Sequence, residues 1–181
     1  KKNMRKNNIL HFILLCLVIV LVVAYRFFNF IPNFTPVAAL ALFSGYVFKN
    51  KKWAMIFPII TLFISDLIIG LYDPIVMVFT YLSFVIIALI GAKMIKKLKV
   101  SNVFLSSITA SVTFFILSNF GVWLGGWYSY NWQGLINCYT MAIPFFRYEI
   151  VGTLLFSSVI FTIYHYVINP IANAQMQNKQ I

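Results

Sequence analysis

The chain has 181 residues, of which 62% are hydrophobic and only 9% charged, with a formal net charge of +11. A soluble domain is nearer half apolar and a quarter charged, and one this small leaves much of its surface in water, so the composition argues against a soluble globular fold and for lipid as the main solvent. The basic charge does not point to nucleic acid, because the lysines sit in short clusters between long apolar stretches rather than along a groove-lining face.

In chain order, a basic cluster of Lys1, Lys2, Arg5 and Lys6 precedes an apolar stretch over 9–28, long enough to span a bilayer. A cleaved signal peptide is the competing reading there, since Val22 and Ala24 are small enough for a cleavage site; the stretch reads as a first transmembrane helix. Two prolines, Pro32 and Pro36, with Asn29 and Asn33, forbid a continuous helix between this segment and the next. Pro36 suits the first turn of a second helix over 36–48, with Thr35 as its candidate N-cap. That segment is short for a span, so it crosses a thinned region or is completed by irregular backbone around 33–36 buried in protein. Lys49, Lys51 and Lys52 end it. A third span is expected over 53–72, with Pro58 and Asp66 inside it, then a tight turn at Tyr72-Asp73-Pro74 and a fourth span over 75–94. Lys93, Lys96, Lys97 and Lys99 close the fourth, and a fifth covers 103–124. A loop over 125–147, rich in Trp, Tyr, Gly and Asn, leads to a sixth span over 148–167 and a polar tail. The expected architecture is one all-α integral membrane bundle of about six helices, with no separate soluble domain.

Threading about six spans alternately puts twelve of the fourteen Lys and Arg residues on one side, leaving only Arg26 and Arg147 on the other. By the positive-inside rule the basic side, carrying both termini, is cytoplasmic, which makes the bacterial cytoplasmic membrane the expected location.

The polar residues that are costly in lipid gather toward the opposite, outer side. Asp66 and Asn119 each lie about 9 Å inside the outer end of their span, at the helical rise. Arg147, Tyr148 and Glu149 mark the outer start of the sixth span, and Asn33 lies in the first outer loop. A carboxylate inside a span costs roughly 2.5–3.5 kcal/mol and usually faces a cavity or a partner. One reading is a ligand pocket open to the outside, lined by Asn33, Asp66, Asn119, Arg147 and Glu149; the other is an ion pair of Asp66 or Glu149 with Arg147 that locks helices. On the pocket reading, Asp66→Asn abolishes binding and spares folding. On the locking reading it costs the fold.

Trp123, Trp127, Tyr128, Tyr130, Trp132 and Tyr139 surround the pair Gly125-Gly126. Such aromatics form either an interfacial anchoring belt or a glycine-hinged lid whose rings stack on a planar ligand. Ala38, Ala41 and Gly45 share one helix face, a small-residue pattern that lets another helix approach closely, within the bundle or from a partner subunit. Cys16 and Cys138 are too few for a disulfide framework, and His11 and His165 belong to no motif, so neither metal nor cofactor is expected. There is no H-E-x-x-H, G-x-S-x-G or P-loop, and three acidic residues offer little general acid–base chemistry. An enzyme is not expected, and any ATP must be used by another chain.

Several segments together carry a family resemblance: Asn33-Phe-Thr-Pro-Val-Ala-Ala-Leu-Ala-Leu-Phe-Ser-Gly45, Ser65-Asp66-Leu67 with Gly70, Tyr81-Leu-Ser-Phe84, Ser118-Asn-Phe-Gly-Val-Trp123 and Ile143-Pro-Phe-Phe-Arg147. In this order they resemble an uncharacterised family of small bacterial membrane proteins. More remotely, by size, span number and basic cytoplasmic face, the chain is similar to the substrate-binding S components of energy-coupling-factor vitamin transporters. That resemblance implies a bundle that captures a vitamin-like molecule from outside. It also implies a small-residue face docked on a membrane coupling subunit with ATPases, a role open to Ala38, Ala41 and Gly45. The family's alanine motif has a four-residue spacing in the first helix, whereas the small residues here lie in the second. The leading expectation is thus an uptake subunit for a small heterocyclic compound, with polar recognition by Asp66, Asn119 and Arg147 and stacking on Trp123, Trp127 and Trp132. Its rival is a non-catalytic structural subunit of a larger membrane complex.

Overall fold

The computed structural model describes residues 18–28, 31–48 and 50–168, with side chains to residue 166. The amino-terminal basic cluster, His11, Cys16, Asn29, Lys49 and the polar tail lie outside the described residues. Those described form an all-helical bundle of α1 (Val18–Phe28), α2 (Val37–Val47), α3 (Lys51–Ile69), α4 (Pro74–Met94), α5 (Val100–Leu124) and α6 (Trp132–Ile163), the last continuing as one π-helical turn, Tyr164–Ile168. Four helices, α3 to α6, are long and apolar enough to cross a membrane.

Local chemistry sets most of the helix starts. Asn50 caps α3 by accepting from Lys52 N at 2.9 Å, and Asp73 caps α4 by accepting from Ile75 N and Val76 N, with Pro74 in the first turn, where its missing N–H costs nothing. Asn131 caps α6 through Gly134 N at 2.7 Å. The N-cap expected at Thr35 is not formed; Pro36 occupies the cap position of α2 without a side-chain hydrogen bond.

At 11 residues, α2 is about 16 Å long, well short of a hydrocarbon core of about 30 Å. It is the axis of the bundle and packs against α3, α4, α5 and α6. Every residue from Val37 to Leu42 is buried, as are Ser44 and Gly45. Its closest neighbour is α4: a Cβ at Gly45 would strike the Ala88 carbonyl, and one at Gly91 of α4 would strike the Leu42 backbone. Small residues on both sides let the two backbones touch, which is how helices associate where no hydrophobic gain drives them together.

Inside α3, Pro58 has no N–H to give the Ala54 carbonyl, which would otherwise be an orphan acceptor in the core. Ser44 of α2 supplies the replacement. Its Oγ lies 2.7 Å from Ala54 O and 2.8 Å from Ala41 O, so one hydroxyl proton serves the gap across the helix pair.

The loop expected over 125–147 is largely helix, because α6 starts at Trp132. Only 125–131 form the turn, closed by Trp123 Nε1 donating to Ser129 O at 3.0 Å and Tyr130 OH donating to Leu124 O at 2.9 Å, with Gly126 at a φ of 80°. Beyond it α6 runs antiparallel along α5. Gly134, Cys138 and Ala142 are buried one turn apart, Cys138 Sγ donates to Asn119 O, Tyr139 OH donates to Ile116 O at 2.7 Å, and Phe146 packs on Phe115. This small-residue face holds the segment helical against its neighbour despite its polar, aromatic composition.

Candidate functional site

Toward the end of the bundle that carries the 70–73 and 125–131 turns lies a cavity of about 300 Å³. All six helices contribute to its lining: Arg26 from α1, Val37 from α2, Leu62 from α3, Thr80 and Phe84 from α4, Asn119 from α5 and Glu149 from α6, with Asn33 and Thr35 from the link between α1 and α2. Phe114 and Phe145 supply further aromatic surface, and Tyr72 and Ser118 further hydroxyls. Apolar and polar residues share the wall about equally, the polar groups converging from different helices, as they do where a small molecule is oriented.

Arg26 is held from behind. Its Nη2 lies 2.9 Å from Asp66 Oδ1, while Asp66 Oδ2 accepts from Tyr81 OH at 2.8 Å. The Asp66 side chain is 2% exposed and that of Arg26 18%, so the ion pair is largely desolvated and joins α1, α3 and α4. Arg26 Nη1 is buried and has no hydrogen-bond partner among the described residues. Glu149 is 3% exposed; its Oε1 accepts from Thr153 Oγ1 at 2.9 Å, and no cation stands within ion-pair distance of it among the described residues. Asn119 uses its amide N–H on Phe115 O at 2.7 Å, one turn back, which leaves the amide oxygen as its acceptor.

Of the residues expected at a site, Asn33, Asn119 and Glu149 meet at this cavity. Asp66 stands behind Arg26 rather than in the wall. Arg147 pairs with neither carboxylate: it is exposed, its guanidinium 4.9 Å from the Tyr148 ring centroid and donating to that hydroxyl at 3.2 Å. Trp123, Trp127, Tyr128 and Trp132 gather at the α5–α6 turn and contribute nothing to the cavity wall, with Trp127 and Trp132 69% and 74% exposed. Ala38, Ala41 and Gly45 are buried inside the bundle, so the chain's own helices cover that face. Arg26 has no site role in the sequence reading; its place at the outer end of an apolar stretch, one of only two basic residues on that side, is the signal that could have found it. Among the described residues no three His, Cys, Asp or Glu side chains group as a metal site would require.

Fold and cavity together define a helical protein with membrane-type helices around a partly polar pocket. The chain belongs to a family of unknown function, DUF6580, whose model matches residues 6–175. No curated protein and no solved structure matches it, and the family match does not extend to the S components of vitamin transporters.

Proposed function

We propose that the protein is a membrane-embedded substrate-binding subunit that captures a small, vitamin-like or heterocyclic compound from the outer side of a bacterial cytoplasmic membrane. The observation that carries this reading is the cavity of about 300 Å³ to which every helix contributes. Its volume is at the lower end of small-molecule sites, which suits a compound of one or two rings. A bundle built for packing alone would fill such a space with its own side chains. The cavity also lies away from the lysine-bearing end, so the positive-inside rule turns it outward. In this reading the chain crosses about six times with both termini cytoplasmic, α2 being a half-length crossing extended by Phe34, Thr35 and Pro36, the half-buried to buried part of the link before it. Energy for uptake would come from a membrane coupling subunit with ATPases, in the manner of the S components.

A second reading, a structural subunit of a larger membrane complex, draws on the Arg26–Asp66–Tyr81 arrangement, which locks three helices without forming a reactive site. Native mass spectrometry of the protein gently extracted from its own membrane separates the two. The capture reading expects a bound small molecule, and copurifying ATPase chains would establish the coupling. Stoichiometric association with a larger complex and no retained small molecule would favour the structural subunit.

A further inference from the structure

The wall of the cavity has a definite charge balance. Arg26 is its one cation and Glu149 its one anion among the described residues, but Arg26 is already neutralised by Asp66 at 2.9 Å. Glu149 has no counter-ion among the described residues. Its described partner is the Thr153 hydroxyl, which donates one hydrogen bond and cancels no charge. A carboxylate this deeply buried without a counter-ion carries a desolvation penalty of several kcal/mol, and a cation brought beside it relieves that penalty. Arg26 Nη1 is a buried donor still lacking an acceptor. Because its charge is spent on Asp66, it calls for a neutral carbonyl, hydroxyl or ring-nitrogen acceptor rather than for a second anion. The same wall carries Phe84, Phe114 and Phe145, aromatic residues that suit a flat apolar body and can attract a cation.

We infer that the compound held in the cavity is a small ring-bearing monocation, with its positively charged nitrogen at Glu149 and a neutral acceptor atom at Arg26. The inference rests on the capture reading above and narrows it: carboxylates and phosphates are disfavoured, because the single arginine in the wall among the described residues is already paired with Asp66 and no other described cation lines the cavity.

The test uses the full-length protein in detergent and has two arms. In the first, the molecule retained from the native membrane is detected by native mass spectrometry, released, and assigned a charge by its behaviour on cation and anion exchangers. In the second, thermal unfolding is followed with three single-ring probes: 1-methylnicotinamide, a fixed cation with a carboxamide acceptor, neutral nicotinamide, and anionic nicotinate. The expected result is a cationic retained molecule, stabilisation by 1-methylnicotinamide well above that by the other two, and at least a tenfold loss of both effects in Glu149→Gln. An anionic or uncharged retained molecule, or stabilisation by nicotinate equal to that by the cation, overturns the inference and leaves the capture reading standing. Retention undiminished in Glu149→Gln does the same. No retained molecule together with no shift from any probe overturns the capture reading itself. Should Glu149→Gln fail to fold, the charge of the retained molecule and the ranking of the probes on the wild-type protein still decide.

Discussion

Asp66 serves two neighbours at once, the Arg26 guanidinium of α1 at 2.9 Å and the Tyr81 hydroxyl of α4 at 2.8 Å. Removing its charge leaves a largely buried guanidinium uncompensated, and breaking a buried pair by deleting one partner costs about 3–5 kcal/mol. With the Arg26 side chain 18% exposed, the lower end of that range applies. Asp66→Asn should therefore lose about 3 kcal/mol, seen as a large drop in the unfolding midpoint or a collapse in folded yield. Tyr81→Phe removes one hydrogen bond and should cost about 1 kcal/mol with the fold retained. Full stability in Asp66→Asn, coupled with lost ligand binding, would instead make Asp66 a direct ligand contact. That a buried carboxylate in a helix needs a partner was legible in the sequence, but the identity of the partner was not. Arg147 and Arg26 are equally well placed along the chain, and only the rotation of α6 about its axis, which leaves Arg147 exposed, decides between them.

Pairs of helices repair one another's defects. Pro58 frees the Ala54 carbonyl of α3, and Ser44 of α2 reaches it at 2.7 Å. Ser44→Ala should destabilise the protein by about 1 kcal/mol. The same substitution in a Pro58→Ala background should cost clearly less, because replacing the proline restores the N–H that the Ala54 carbonyl lacks. Equal costs in the two backgrounds, measured as a double-mutant cycle of unfolding free energies, would show that Ser44 does not serve that carbonyl. The spans of α3 to α5 were legible because each is a long apolar run with a cap or a lysine at its end. The first half of α6 was hidden by its composition. Its Trp, Tyr, Asn and Gln resemble a loop, while the Gly134, Cys138 and Ala142 repeat that seats it on α5 carries the helical signal without an apolar run. The same small-residue pattern was visible in α2, where it turned out to serve the neighbouring α4.

The described lysines gather at one end of the molecule. Gly45 of α2 lies against Ala88 and Ala92 near the end of α4, which brings the 50–52 link to the same end as Lys93, Lys96, Lys97 and Lys99. The 70–73 turn and the α5–α6 turn lie at the other end, where Gly125 sits against Asp73. If the basic end faces the cytoplasm, as the positive-inside rule requires, a single cysteine at position 97 should react with a membrane-impermeant maleimide only after the cells are opened. One at position 128 should react in intact cells, with Cys16 and Cys138 replaced beforehand. The reverse pattern would invert the bundle and turn the cavity toward the cytoplasm, which would remove the basis for capture from outside.

The sequence by itself determined the all-helical class, the long apolar helices α3 to α5, the gathering of lysines near the helix ends and the presence of costly polar groups in apolar surroundings. Each of these is a property of composition and spacing along one chain, set by the helical rise and the cost of polar groups in lipid. Only the tertiary structure decided which polar groups meet. It put Asp66 on Arg26, left Glu149 at the wall of the cavity without a cation among the described residues, buried the Ala38, Ala41 and Gly45 face, and set the described tryptophans apart from the pocket. These outcomes depend on how each helix is rotated about its axis and on where short α2 sits among its neighbours. Both are fixed by contacts between residues far apart in the chain, which no local pattern encodes.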